Sequence, residues 1–309
     1  PLDMTNISVN YDTEWLLNYW ETGEIGDVFR TNVRQALRTA EPGFSFNFFE
    51  KENETLRNAC TEVTSEDDSD VCNLGSLNFA RIDDLNQLRE VVTLGGRYET
   101  TPELHRWLKV YEAESDKTAR DFASLLSVSK PAAVRAVAPT GTIGILGGTS
   151  TGIEPIFAVA YKRRYLKNRR WHYQYVVDSA AQEMIDLYGT KPQEIESALD
   201  LASDYERRLS FQANVQEYVD MSISSTINLP AWDTENNNED KVEDFAQTLA
   251  KYSHRLRGFT CFPDGCRGGQ PLTAVPYTEA MEKLGEEFED NIQPHDICDI
   301  SGTGGVCGV

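Results

Sequence analysis

Residues 44–63 read FSFNFFEKENETLRNACTEV, an aromatic strand signal running into a polar turn. The turn places Asn58, Cys60 and Glu62 at alternate positions. On an extended segment such residues point to one side, so an amide, a thiol and a carboxylate would converge on one ligand. A carboxylate beside a thiol disfavours the thiolate, so the trio is poorly arranged for ordinary cysteine nucleophilicity. The four histidines, His105, His172, His254 and His295, are distant in sequence, and no Cys–His couple is visible. The trio suits hydrogen-atom chemistry by a neutral thiol, with Glu62 accepting a proton and Asn58 orienting the substrate. The plainer alternative is a buried cysteine in a capped turn.

Outward from this stretch, helix and strand signals alternate, which argues for an α/β architecture. DVFRTNVRQALRTAEPG reads as a helix with Asp27 as N-cap and a Pro-Gly stop, just ahead of the strand. DDLNQLREVVTLGG reads as a capped helix, and residues 102–127 as helix in two pieces. AAVRAVA is a strand signal, and helices are expected near 174–188, 193–202, 204–221 and 239–255. SISSTINL and RGFTCF are interleaved apolar strands, and WDTENNNED is a surface loop by composition. From residue 278 the chain turns acidic and then Gly-rich, the composition of a mobile tail.

Composition bounds the function. The chain has 309 residues, 40% of them hydrophobic, with 13 Phe, 13 Tyr and 5 Trp, enough for a packed core. No apolar run approaches the roughly 20 residues that span a bilayer, and PLDMTNISVN lacks a leader's pattern, so a cytoplasmic protein is expected. The net charge of −21 argues against a general nucleic-acid surface. One basic run, YKRRYLKNRRWHY at 161–173, reads as a solvated face or as an anion or partner contact. Six cysteines in such a chain point to redox chemistry, metal binding or plain buried thiols rather than a disulfide scaffold.

Further motifs carry chemistry. Cys72 in DVCNLGSLN lies on the next apolar segment, as a second site residue or a small core residue. AVAPTGTIGILGGTSTGIEP takes a strand into Pro139, Thr140, Gly141 and Thr142, where backbone N–H groups and hydroxyls form an anion cradle. It is neither a Walker A loop nor a dinucleotide fingerprint. Cys261 and Cys266 flank a Pro-Asp-Gly turn, and the wide spacing of Cys298 and Cys307 argues against a shared zinc site. Two cysteines near a chain end can instead exchange disulfides with a distant site.

Taken in order, NACTEV, VCNLGSLN, APTGTIGILGGTSTGIEPIFAVAYKRRYL, SFQANVQEYVDMSISSTINLP and FTCFPDGCRGGQP resemble the catalytic subunit of ribonucleotide reductase, in its adenosylcobalamin-dependent (class II) branch. The resemblance implies the C-terminal half of a ten-stranded α/β barrel over residues 1–277, with a central finger loop at about 51–64 and a tail at 278–309. It implies that Cys60 is the thiyl-radical site, Glu62 the proton acceptor and Asn58 a ribose ligand. Cys72 would be one of the reducing pair, Pro139 to Thr142 the phosphate cradle, and Cys298 and Cys307 the shuttle to a thioredoxin- or glutaredoxin-like dithiol. No metal ligands are implied.

Tyrosyl-radical relatives carry adjacent tyrosines where this chain has Thr260, Cys261 and Phe262, which favours adenosylcobalamin over a metal-and-tyrosyl partner subunit. Cys60 lies near the start of the sequence, so the first half of the barrel is expected from a complementary N-terminal polypeptide. A non-catalytic nucleotide-binding half is the competing expectation.

Overall fold

The computed structural model describes residues 6–67, 98–141, 143–144, 151–266 and 272–289. Cys72, Thr142, Cys298, Cys307 and the helix expected in DDLNQLREVVTLGG lie outside the described residues.

The central sheet has the order β1 (Ser8–Tyr11), β2 (Gly43–Phe46), β8 (Gly258–Pro263), β7 (Thr226–Leu229). β1 runs parallel to β2, and β7 parallel to β8, while β2 meets β8 antiparallel with Phe44 opposite Phe259. Two parallel pairs of opposite direction therefore share one sheet. The residues ahead of Cys60 are a working part of it, supplying both β1 and β2. Just before β7, Val137 bridges Ile223 in parallel. Among the described residues no closed barrel forms.

Strand alternation gives this sheet two unlike faces. Tyr11, Phe44, Phe46, Ile227, Leu229, Phe259 and Cys261 share one core with helices α1 (Thr13–Thr22), α2 (Gly26–Thr39), α5 (Tyr205–Gln216) and α6 (Val242–Ser253). In α2 the buried residues Phe29, Asn32, Val33, Ala36 and Leu37 recur at helical spacing and form one stripe. Phe29 sits 5.0 Å from the Tyr11 ring and 4.9 Å from Trp15. Burial of such a side chain contributes about 1.5–3 kcal/mol. The opposite face alternates to Ser8, Asn10, Ser45, Thr226, Asn228 and Thr260, with Phe262 beside them, a mostly small and polar lining that is unusual for parallel strands. There Thr226 and Thr260 join their hydroxyls at 3.2 Å.

Several local expectations are corrected. Asp27 lies in the first turn of α2 and Ile25 holds the cap position, so Asp27 complements the helix dipole without capping. Residues 102–127 form one helix, α3 (Pro102–Leu126), because Thr101 caps it and nothing within it breaks the ladder. The AAVRAVA stretch makes a single bridge, since Val134 and Arg135 spend their N–H groups on the Asp220 carboxylate at 2.7 and 3.2 Å. Residues 170–177 are strand, and helix α4 (Ser179–Tyr188) starts only after Asp178 accepts from Ala180 and Ala181. Near 193–202 only two short 3-10 turns form, because the Asp200 carboxylate takes both the N–H and the hydroxyl of Ser197. The loop at 232–240 is not purely surface: Asn237 is 2% exposed and donates to the carbonyls of Leu37 and Pro230 at 3.0 and 2.7 Å.

A second sheet, β10 (Glu287–Glu289), β6 (Arg170–Val177), β5 (Ala160–Lys167), β9 (Leu272–Ala274), is built on a long hairpin. The basic run is that hairpin. Arg164 stacks on Trp171 at 4.5 Å and Lys162 on Tyr173 at 5.4 Å, while Lys167 and Arg170 pair with Glu287 and Glu289 at 2.7 and 2.8 Å. The acidic stretch after residue 276 thus supplies a short helix, α7 (Tyr277–Glu282), and a docked edge strand. Among the described residues no helix is long and apolar enough to cross a membrane.

Candidate active site

The chain leaves β2, makes a 3-10 turn at Phe49–Lys51, and returns as a small hairpin of β3 (Leu56–Arg57) and β4 (Thr64–Ser65). Asn58, Cys60 and Glu62 all lie in the six-residue tip between these strands. The tip is not extended. Thr61 donates its N–H to the Asn58 carbonyl at 3.0 Å and takes φ +67°, a conformation that a β-branched residue adopts only under constraint. Period-two convergence of the three side chains therefore fails. Cys60 is exposed, whereas Glu62 is 2% exposed.

Each residue has a distinct setting. The Asn58 Oδ1 accepts from the Val63 N–H at 3.1 Å and closes the tip, while its Nδ2 makes no hydrogen bond among the described residues. The Glu62 carbonyl accepts from Ser222 N–H at 2.9 Å. Its carboxylate oxygen Oε2 is buried and has no hydrogen-bond partner among the described residues. A buried carboxylate oxygen left so is costly and marks a place for a donor to arrive.

Backbone bonds connect this tip to the Thr140 turn. Ser222, which holds Glu62, accepts from Val137 N–H at 3.3 Å, and Ser224 donates to the Val137 carbonyl at 2.8 Å. Two residues on, the chain reaches Pro139, Thr140 and Gly141. Thr140 has φ +51°; its carbonyl accepts from Gly144 at 2.7 Å and its Oγ1 from Gly152 at 3.0 Å. The Thr140 hydroxyl is thus used first to hold its own loop, leaving its hydrogen to donate.

Some groups escaped the sequence reading. Glu154, its carboxyl raised by burial, accepts from the Thr226 N–H at 2.6 Å at the start of β7. Arg208, 2% exposed, donates to the Thr226 carbonyl at 3.1 Å and stands over the Tyr98 ring at 5.2 Å. Glu154 lies within the Gly-rich motif at 136–155 but carries no signal of its own there, and Arg208 reads as an ordinary polar helix residue. Cys261 is a core thiol: it is 3% exposed in the helix-facing cluster, and burial pushes its thiol up. Among the described residues no group of three or more His, Cys, Asp or Glu is placed to hold a metal ion.

Residues 105–260 match the family described as ribonucleotide reductase, barrel domain. The chain belongs to that family. It is 31% identical over 176 residues to the vitamin B12-dependent ribonucleoside-diphosphate reductase of Mycobacterium tuberculosis (strain CDC 1551 / Oshkosh), covering 51% of this chain and 24% of the relative. Over 246 residues it is 30% identical to the Mycobacterium phage D29 protein named as an adenosylcobalamin-dependent ribonucleoside-triphosphate reductase, covering 67% and 34%. The chain thus spans about a quarter to a third of these curated relatives.

Among solved structures, a B-12 dependent (class II) ribonucleotide reductase superposes with a TM-score of 0.62 at 14% identity, over 90% of this chain and 49% of that one. The Actinobacillus ureae class Id ribonucleotide reductase alpha subunit gives 0.57 at 13%, over 84% and 65%. These likenesses show the reductase fold.

Proposed function

We propose that this chain carries the radical-bearing finger and phosphate turn of a class II ribonucleotide reductase, converting ribonucleoside di- or triphosphates to 2′-deoxyribonucleotides. The observation that carries the reading is the finger tip: an exposed Cys60 beside a buried Glu62 whose Oε2 lacks a donor, with the Asn58 amide nitrogen also available. The named relatives that depend on vitamin B12 or adenosylcobalamin support the cofactor. So does Phe262, which stands where a tyrosyl relay would need an oxidisable ring. An exposed thiol at the tip fits a radical source that must approach it. Adenosylcobalamin, when bound, would supply the one-electron chemistry that turns the Cys60 thiol into a radical.

The residues then divide the work. Cys60, as a sulfur-centred radical, takes the ribose 3′-hydrogen. Glu62 Oε2 accepts the 3′-hydroxyl proton, which supplies the donor that this oxygen lacks, and the Asn58 Nδ2 donates to a ribose hydroxyl. The 2′-hydroxyl leaves as water with a proton from a dithiol that includes Cys72; the second hydrogen of that dithiol, with its two electrons, forms the new C2′–H bond as the dithiol becomes a disulfide, and Glu62 returns its proton to the 3′-oxygen. Cys60 then returns the hydrogen to C3′. Pro139, Thr140, Gly141 and Thr142 hold the phosphates, and Cys298 with Cys307 passes electrons from a thioredoxin-like protein.

The reversal of strand direction between β2 and β8 supports a barrel of ten strands in two halves, and the pairing of β10 with β6 puts the start of any tail after residue 289 rather than at 278. A complementary polypeptide supplying further strands belongs to this reading. The test combines this chain with the remaining barrel and adenosylcobalamin and measures deoxyribonucleotide formation. Turnover is expected for the wild type and none for Cys60→Ser; equal turnover by Cys60→Ser would overturn the assignment.

A further inference from the structure

Two arginines, 200 residues apart in sequence, face each other beneath the finger tip. Arg57, at the end of β3, reaches from the hairpin to the sheet. Its Nε donates to Ser45 Oγ at 2.7 Å, and its Nη2 to the carbonyl of Arg257. Its Nη1 turns back and donates to the carbonyl of Thr61 at 3.0 Å. Arg257, just ahead of β8 and 7% exposed, reaches the other way. Its Nη2 donates to Glu54 Oε2 at 2.7 Å, just ahead of β3, and to Thr64 Oγ1 at 3.1 Å on β4, and its Nη1 to the Asp220 carbonyl at 3.3 Å.

Burying two cations side by side is expensive. Burial, and then the neighbouring Arg257 charge, press the Arg57 guanidinium down to about 9, and Glu54 offsets this only in part. An apolar pair would fill such a space at lower cost, so the fork geometry is what the site retains. The sheet also makes room for it: a Cβ on Gly258 would stand 3.2 Å from Arg57 Nη1 and 3.2 Å from Ser222 Oγ. Arg57 and Ser222 therefore hold two consecutive tip carbonyls, those of Thr61 and Glu62.

We propose that Arg57 is a positioning residue for the Cys60–Glu62 tip, and that Arg257 completes it as a reciprocal clamp between finger and sheet. The consequence for chemistry rests on the reductase reading above; the clamp itself does not. Its test is amide hydrogen exchange on the purified chain. Arg57→Gln and Arg57→Lys are both expected to speed exchange at Thr61 and Val63 by at least about 10-fold, leaving α6 amides unchanged, because lysine cannot reproduce the fork. Exchange at both amides within a factor of about two of wild type would overturn the clamp. Should Arg57→Gln fail to fold, the Glu54→Ala, Thr64→Val pair removes the acceptors that Arg257 grips and is read the same way.

In the assembled reductase, Arg57→Gln should lower kcat about 100-fold with KM nearly unchanged, as misplacement of a reacting group by about 1 Å does. A raised KM with unchanged kcat would overturn the positioning role. Faster exchange in the variant, with no turnover by the wild-type assembly, would instead sink the reductase reading and leave the clamp standing.

Discussion

Glu62 and Cys60 are neighbours in sequence with opposite exposures, and Thr61 between them explains why. Its left-handed φ turns the chain so that the carboxylate goes under the tip while the thiol stays out. The residue types of the trio were legible in the sequence because amide, thiol and carboxylate have few joint uses. Their disposition was not, since a threonine at φ +67° violates the local preference that a reader must assume. Arg57 and Arg257 were illegible for another reason. A buried arginine and a solvated one look alike until the partners, far off in sequence, are known. The Thr140 turn offers a residue-scale prediction. Gly152 has φ +52°, and a Cβ there would meet the Ala138 carbonyl at 3.2 Å. Gly152→Ala should cost about 1–2 kcal/mol of stability, read by urea unfolding. It should also speed amide exchange at Gly144, whose N–H is held by Thr140.

At the scale of elements, reading from periodicity worked where one stripe faced one core, as in α2 and α6, and failed where side chains competed for the backbone. Asp220 ended the strand expected at 132–138, and Ser197 with Asp200 broke the helix expected at 193–202. Trp171, Tyr173 and Tyr175 alternate with the polar His172 and Gln174 at a strand period, and so the helix expected from 174 starts only at Ser179. The cap of α4 gives a test with a worked sign. Burial raises the Asp178 carboxyl above its usual 3.8, and the N–H groups of Ala181 and Ala180 oppose this only in part. The folded chain then holds a proton that the unfolded chain has released. This contribution to stability is complete below pH 3.8 and is lost as pH rises through the folded value. Asp178→Asn keeps a capping oxygen without the charge, so its stability relative to wild type should grow between about pH 4 and pH 8. Asp178→Ala, with no cap, should lose about 1 kcal/mol. Urea titrations across that range check both; a pH-independent difference for Asp178→Asn would contradict the assigned cause.

For the whole molecule, a formal charge of −21 sets the terms. Exposed pairs such as Lys167–Glu287 and Arg170–Glu289 are each worth about 0–1 kcal/mol, so screening them costs little. Repulsion among fifty carboxylates is the larger sum, and it is screened as well. The thermal midpoint should therefore rise by several degrees as NaCl goes from about 10 to 300 mM, where the Debye length shrinks below about 10 Å; calorimetry checks it. Composition announced this acidity and the α/β alternation, but not the sheet's change of strand direction, which depends on pairings between distant segments. That separation has a consequence for synthesis. A ribosome releases Arg57 200 residues before Arg257, the other half of the clamp. The clamp between hairpin and sheet therefore cannot close until both arginines have left the ribosome, and until then the tip that carries Cys60 has no sheet to rest on.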